Sequence, residues 1–113
     1  MSSGAERRMY IRYSSPALTV EIGGKGFKTI NWSLTGLLLT GVDAEIVQGL
    51  PGHFQAFPIV IRECDGKAVT PVTCQMTVVW YDPKKGLLAL HTMGLTPDVA
   101  DGMLRLLGAQ SID

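Results

Sequence analysis

The residues of this chain whose types and spacing can do chemistry are a set of arginines and a small polar turn. Arg7, Arg8 and Arg12 form the run RRxxxR, and Asn31, Ser33 and Gly36 follow as NxSxxG. A guanidinium is a rigid fork of donors that meets a phosphate, or the O6/N7 edge of guanine, through two bonds at once. Lysine lacks that geometry and the flat face that stacks on a base. Short amide and hydroxyl side chains beside a glycine add hydrogen-bonding groups where a backbone can approach closely. The two patterns together suit a ligand that is anionic and rich in purine edges. At ordinary residue usage, both are expected in one chain of this length only on the order of once per thousand chains.

The elements that must hold these groups are mostly short strands. Ala17 to Ile22 alternates Leu18, Val20 and Ile22 on one face, and Gly23-Gly24-Lys25-Gly26 supplies a turn. Phe27 to Asn31 forms a second strand, Ser33-Leu34-Thr35 a turn, and Gly36 to Thr40 a third, apolar strand. Residues 41–56 read as a short strand and a loop, broken by Gly49-Leu50-Pro51-Gly52, with His53 in that loop. Phe57 to Glu63 and a long strand from Lys67 are joined by Asp65-Gly66, a two-residue hairpin turn. Paired positions then sum to 131, which sets Cys64 opposite Lys67 and Cys74 opposite Phe57. Pro71 marks an edge or bulge in the long strand. Beyond it, Cys74, Met76, Val78 and Trp80 alternate onto one face. Leu87 to Thr92 is the last strand.

The period then changes to that of a helix over 97–107. Thr96 is its cap, Pro97 its first residue, and Val99, Met103, Leu106 and Leu107 its apolar stripe, with Gly108 as the stop. Gly102 inside it costs about 1 kcal/mol against alanine, so the helix depends on tertiary packing. Six or so short strands and a C-terminal α-helix predict a mainly β fold, a small antiparallel β-barrel whose opening the helix covers. Residues 1–15 form a flexible N-terminal arm carrying RRxxxR, and residues 16–113 form the barrel and helix.

Composition narrows the function classes. The 113 residues are 46% hydrophobic and 18% charged with zero formal net charge, which is a globular balance. No global field draws such a chain to nucleic acid or a membrane surface. No apolar run is long enough to span a bilayer, and the N-terminus lacks a secretory apolar stretch, so the chain is read as cytoplasmic. Cys64 and Cys74 do not face each other in the predicted register, and neither a disulfide nor a metal site is expected. His53 and His91 have no serine or carboxylate at catalytic spacing, so the chain is not read as an enzyme.

The two motifs, the strand order, Val78-Val79-Trp80 with Gly86-Leu87-Leu88, and the terminal amphipathic helix resemble the PilZ domain family of bacterial cyclic di-GMP receptors. The resemblance spans nearly the whole chain, with RRxxxR and NxSxxG as its specific parts. It implies a six-stranded barrel in which the arginine loop folds over the nucleotide and signals by changing conformation. It implies that Arg7, Arg8 and Arg12 contact guanine edges and phosphates, that Asn31 and Ser33 meet a guanine and a phosphate, and that Gly36 permits the turn. Trp80 matches a strand tryptophan that lies near the ligand in some members. Members with an arginine before RxxxR, as Arg7 is here, tend to bind an intercalated dimer of the nucleotide. Many members carry aspartate at the position of Asn31, where a carboxylate accepts from both N–H groups of guanine and an amide does not. Leu90-His91 stands near where relatives often carry phenylalanine, a departure read as one of packing.

The resemblance implies an unidentified downstream protein as a further partner, and no cofactor beyond the ligand. Two other classes stand beside the receptor: a PilZ-like protein-interaction domain without nucleotide binding, and an oligonucleotide-binding barrel. The intact motifs count against the first. Neutral charge and the lack of a basic stripe count against the second, although Tyr10 and Tyr13 flank Arg12 in a way that suits base stacking.

Overall fold

The computed structural model describes residues 11–52 and 55–111, so Arg7, Arg8, Tyr10 and His53 lie outside the described residues. Six strands, β1 (Leu18–Ile22), β2 (Lys25–Ser33), β3 (Gly36–Leu39), β4 (Phe57–Cys64), β5 (Lys67–Asp82) and β6 (Leu87–Thr92), run antiparallel in a closed barrel. Their order around the barrel is β1-β2-β3-β6-β5-β4. Closure leaves no free sheet edge, and inward side chains fill the interior. Leu18, Val20, Trp32, Leu37, Leu39, Ile59, Ile61, Met76 and Leu88 form that core. Trp32 is fully buried and donates its indole N–H to the Pro16 carbonyl at 2.8 Å.

Local chemistry sets the turns. Gly23 and Gly24 both take positive φ, 57° and 86°, and close β1 onto β2 with Ile22 opposite Lys25. A two-residue hairpin of this hand needs positive φ at both central positions, which glycine adopts without strain. Asp65 and Gly66 do the same between β4 and β5, with Cys64 opposite Lys67 as predicted. Asp65 is held there by its backbone N–H to Ala17 O and by accepting the Ala17 N–H at Oδ1.

Farther from that turn the predicted register fails. Glu63 pairs Ala68, but Ile61 pairs Val72 and Cys74 pairs Ile59 instead of Phe57. The slip occurs at an irregularity spanning Pro71, which has no N–H for the ladder. A two-residue shift keeps the pleat in phase, so Cys74 still points into the core. Both cysteines are free. Burial pushes the Cys74 thiol up to about 11, and burial, then the neighbouring Asp65 charge, raises Cys64.

A short helix α1 (Ala44–Gln48) stands where a strand was expected. Asp43 caps it by accepting the Ile46 N–H at 3.1 Å. The C-terminal helix α2 (Pro97–Ser111) starts at the predicted cap, with Thr96 Oγ1 accepting from Val99 N–H. It continues past Gly108, because Ala109 and Gln110 favour helix. Met103 and Leu106 enter the barrel core. Gly102 has a packing reason: a Cβ there would stand 3.0 Å from Val72 Cγ2, so the glycine lets α2 lie close against β5.

Candidate functional site

Two bulges bring the candidate residues onto one outer face. In β2, Thr29 pairs Leu39 while Asn31 pairs Leu38, so Ile30 is an extra residue. Without it, the inward alternation of Phe27 and Thr29 would carry Asn31 into the core. With it, Trp32 turns inward and Asn31 outward. In β5, Val78 pairs Leu90 and Trp80 pairs Ala89, so Val79 is extra. The sequence reading placed Trp80 on the face of Cys74 and Met76. The bulge corrects this: Trp80 is 46% exposed and Tyr81 packs on the core in its place.

The ladders then align these positions. Asn31 pairs Leu38, Leu38 pairs Ala89, and Ala89 pairs Trp80, one row across β2, β3, β6 and β5. Adjacent strands lie roughly 4.8 Å apart, so the row spans roughly 14 Å of sheet. Over it lies a cleft of about 330 Å³ lined by Arg12, Asn31, Gly36, Trp80 and His91, among others. That volume is at the small end of ligand sites. Size does not single it out, since grooves of about 340 Å³ beside Gly102 and Arg105 and about 350 Å³ beside Leu50 and Trp80 also exist. Its donor chemistry does.

Arg12 is placed by its neighbour. Tyr13 forms an isolated bridge with Trp32, with N–H···O bonds of 2.6 and 2.9 Å in the two directions, and its ring packs 5.2 Å from the indole. Tyr13 is thereby engaged with the core tryptophan. The side chain of Arg12 lies along the sheet and donates Nε–H to Asn31 Oδ1 at 2.6 Å. That bond fixes the amide orientation: the Asn31 carbonyl serves Arg12 and its N–H₂ remains as the donor group. The outer guanidinium nitrogens of Arg12 reach over Gly36, with Nη1 3.8 Å from where a Cβ would be.

Gly36 is not in the turn. The hairpin loop is Leu34-Thr35, with Ser33 opposite Gly36. Glycine is required because a Cβ at 36 would stand 2.8 Å from the Leu90 carbonyl oxygen on β6. Ser33 is buried and does not line the cleft. Its hydroxyl accepts the Thr35 N–H and contacts the Thr35 hydroxyl, both at 3.2 Å, so it shapes the loop. The structure therefore gathers Arg12, Asn31, Gly36 and Trp80 and leaves Ser33 beneath them. His91, which the sequence reading set aside, lines the cleft opposite Gly36.

Among the described residues, no group of His, Cys, Asp and Glu side chains is arranged to hold a metal ion, and no helix is long and apolar enough to cross a membrane.

No family model and no curated protein sequence matches the chain. Solved structures do. An uncharacterized Legionella protein superposes with a TM-score of 0.60 at 10% identity, covering 89% of this chain and 94% of that one. The Bacillus subtilis inhibitor of motility, MotI/DgrA, superposes with a TM-score of 0.58 at 17% identity, covering 92% of this chain. This chain spans about half of that protein, 51% of its length. At such identities the likeness is one of fold.

Proposed function

We propose that this chain is a PilZ-like receptor for cyclic di-GMP, a binding domain without catalytic activity whose arginine run closes over the nucleotide. The observation that carries the reading is the row Asn31–Leu38–Ala89–Trp80 with the Arg12 guanidinium lying beside it over Gly36. An exposed indole at one end supplies a stacking face for a base, and a guanidinium near the other supplies paired donors for a phosphate or a guanine edge. The flat apolar floor of Leu38 and Ala89 between them suits a purine plane. Arg7 and Arg8 would complete the clamp from the arm. The fold shared with an inhibitor of motility supports a regulatory output, delivered to a downstream protein when the arm orders on the ligand.

Two or three arginine contacts at about 1–3 kcal/mol each, with base stacking on Trp80 at about 1–3 kcal/mol per base, are set against the cost of ordering the arm, and micromolar binding, on the order of −8 kcal/mol, is expected. Calorimetric titration of the chain and of Arg12→Ala with cyclic di-GMP, with GTP as control, tests this. Micromolar binding lost in the variant is the expected result. Equal heats for both chains would refute the role of Arg12, and no binding by either would refute the receptor reading and favour a protein-interaction domain.

A further inference from the structure

His91 is an exposed residue near the end of β6, and its cross-strand partners are Gly36 on β3 and Thr77 on β5. Directly paired positions place their Cβ atoms roughly 4.5–5.5 Å apart. The Arg12 Nη1 atom stands 3.8 Å from the missing Cβ of Gly36 on the same outer face. By that geometry the guanidinium and the His91 Cβ are separated by roughly 9 Å at most, with Gly36 between them. The notch cannot be filled by mutation without cost, because a Cβ at 36 meets the Leu90 carbonyl at 2.8 Å.

We propose that His91 and Arg12 are the two walls of a phosphate seat above Gly36, with the imidazole donating an N–H to one phosphate oxygen and the guanidinium bonding another. This rests on the nucleotide reading for the identity of the ligand, and adds a contact that the motifs do not contain. Among the described residues, Arg12 is the one Lys, Arg, Asp or Glu side chain that lines the cleft. The outward neighbours of His91 along the ladders include Gly36 and Leu38 on β3, Gln75, Thr77 and Val79 on β5, and Ala89 and Met93 along its own chain, none of them titratable. An imidazole N–H there has no carboxylate among those neighbours to bond and is available to a ligand oxygen.

The test follows the His91 imidazole resonances and the affinity of the intact chain, using cyclic di-GMP and inorganic pyrophosphate as separate probes. Both probes are expected to shift the His91 ring signals. Cyclic di-GMP is expected to bind about tenfold more weakly to His91→Ala, while His91→Arg keeps its affinity. His91→Ala should unfold at the wild-type temperature, since the side chain is exposed. Ring shifts with pyrophosphate but no binding of cyclic di-GMP would keep the phosphate seat and overturn the receptor reading. Cyclic di-GMP binding with equal affinity in wild type and His91→Ala would overturn the seat and keep the receptor. Still ring signals with both probes would overturn the seat as well.

Discussion

Replacing Gly36 by alanine probes the place where fold and site are the same atoms. The added Cβ would stand 2.8 Å from the Leu90 carbonyl oxygen, 0.6 Å inside the 3.4 Å at which ordinary contact begins. Neither partner is a flexible side chain. Both belong to the β3–β6 ladder, where Gly36 pairs His91 and Leu37 pairs Leu90, so relief requires the two strands to part. Overpacking of this kind costs about 1–3 kcal/mol. For a domain of this size each kcal/mol shifts the melting temperature by about 4 °C, so the variant should melt roughly 4–12 °C lower. Thermal unfolding followed by circular dichroism reads this directly. Gly52→Ala is the matched control: nothing lies within 4 Å of its Cβ position and its φ is not positive, so it should stay within about 2 °C of the parent. A Gly36→Ala chain that melts with the parent would show that β3 and β6 are not packed this tightly, and the notch would lose its physical basis.

Asn31→Asp should tighten cyclic di-GMP binding about three- to tenfold by calorimetry, because one carboxylate oxygen can hold Arg12 Nε while the other accepts from guanine. Weaker binding by the variant would mean that the Asn31 N–H₂ is the group the ligand uses. Cys74 should react with iodoacetamide at pH 8 at least ~100-fold more slowly than a free thiol in the folded chain, and at the ordinary rate in denaturant, since its thiol is raised from 9.0 to about 11. The same shift sets a stability limit: the fold disfavours the thiolate, so stability is full below pH 9.0 and falls as pH rises toward 11, measurable by urea titration at each pH.

The barrel was legible because its punctuation is chemical. Gly23-Gly24 and Asp65-Gly66 announce two-residue hairpins, and Thr96-Pro97 announces a helix start. The bulges were not legible. Ile30 and Val79 are ordinary strand residues, and nothing in their identity says that the pleat changes phase there. The consequence is large, since those two residues decide that Asn31 and Trp80 face solvent together. Period-2 reading placed Trp80 inward with Met76 for that reason. Asp43, an aspartate just before Ala44-Glu45-Ile46, was the available sign of α1 and was outweighed by the glycines and proline after it. Ser33 and Gly36 stood out from their pattern, but not with the local roles the structure gives them: the serine shapes the loop, and the glycine lets β3 lie close against β6. His91 had no motif to flag it, because its partner in the cleft is a glycine 55 positions earlier in the chain.

The most direct test of the central claim is an amide and indole chemical-shift map of the chain during titration with cyclic di-GMP. The account predicts perturbations concentrated at Asn31, Gly36, Ala89, the Trp80 indole N–H and Arg12, saturating at micromolar ligand. Shifts confined to the groove between Ala68–Val72 and Gly102–Leu106, or no shifts at tens of micromolar, would contradict it.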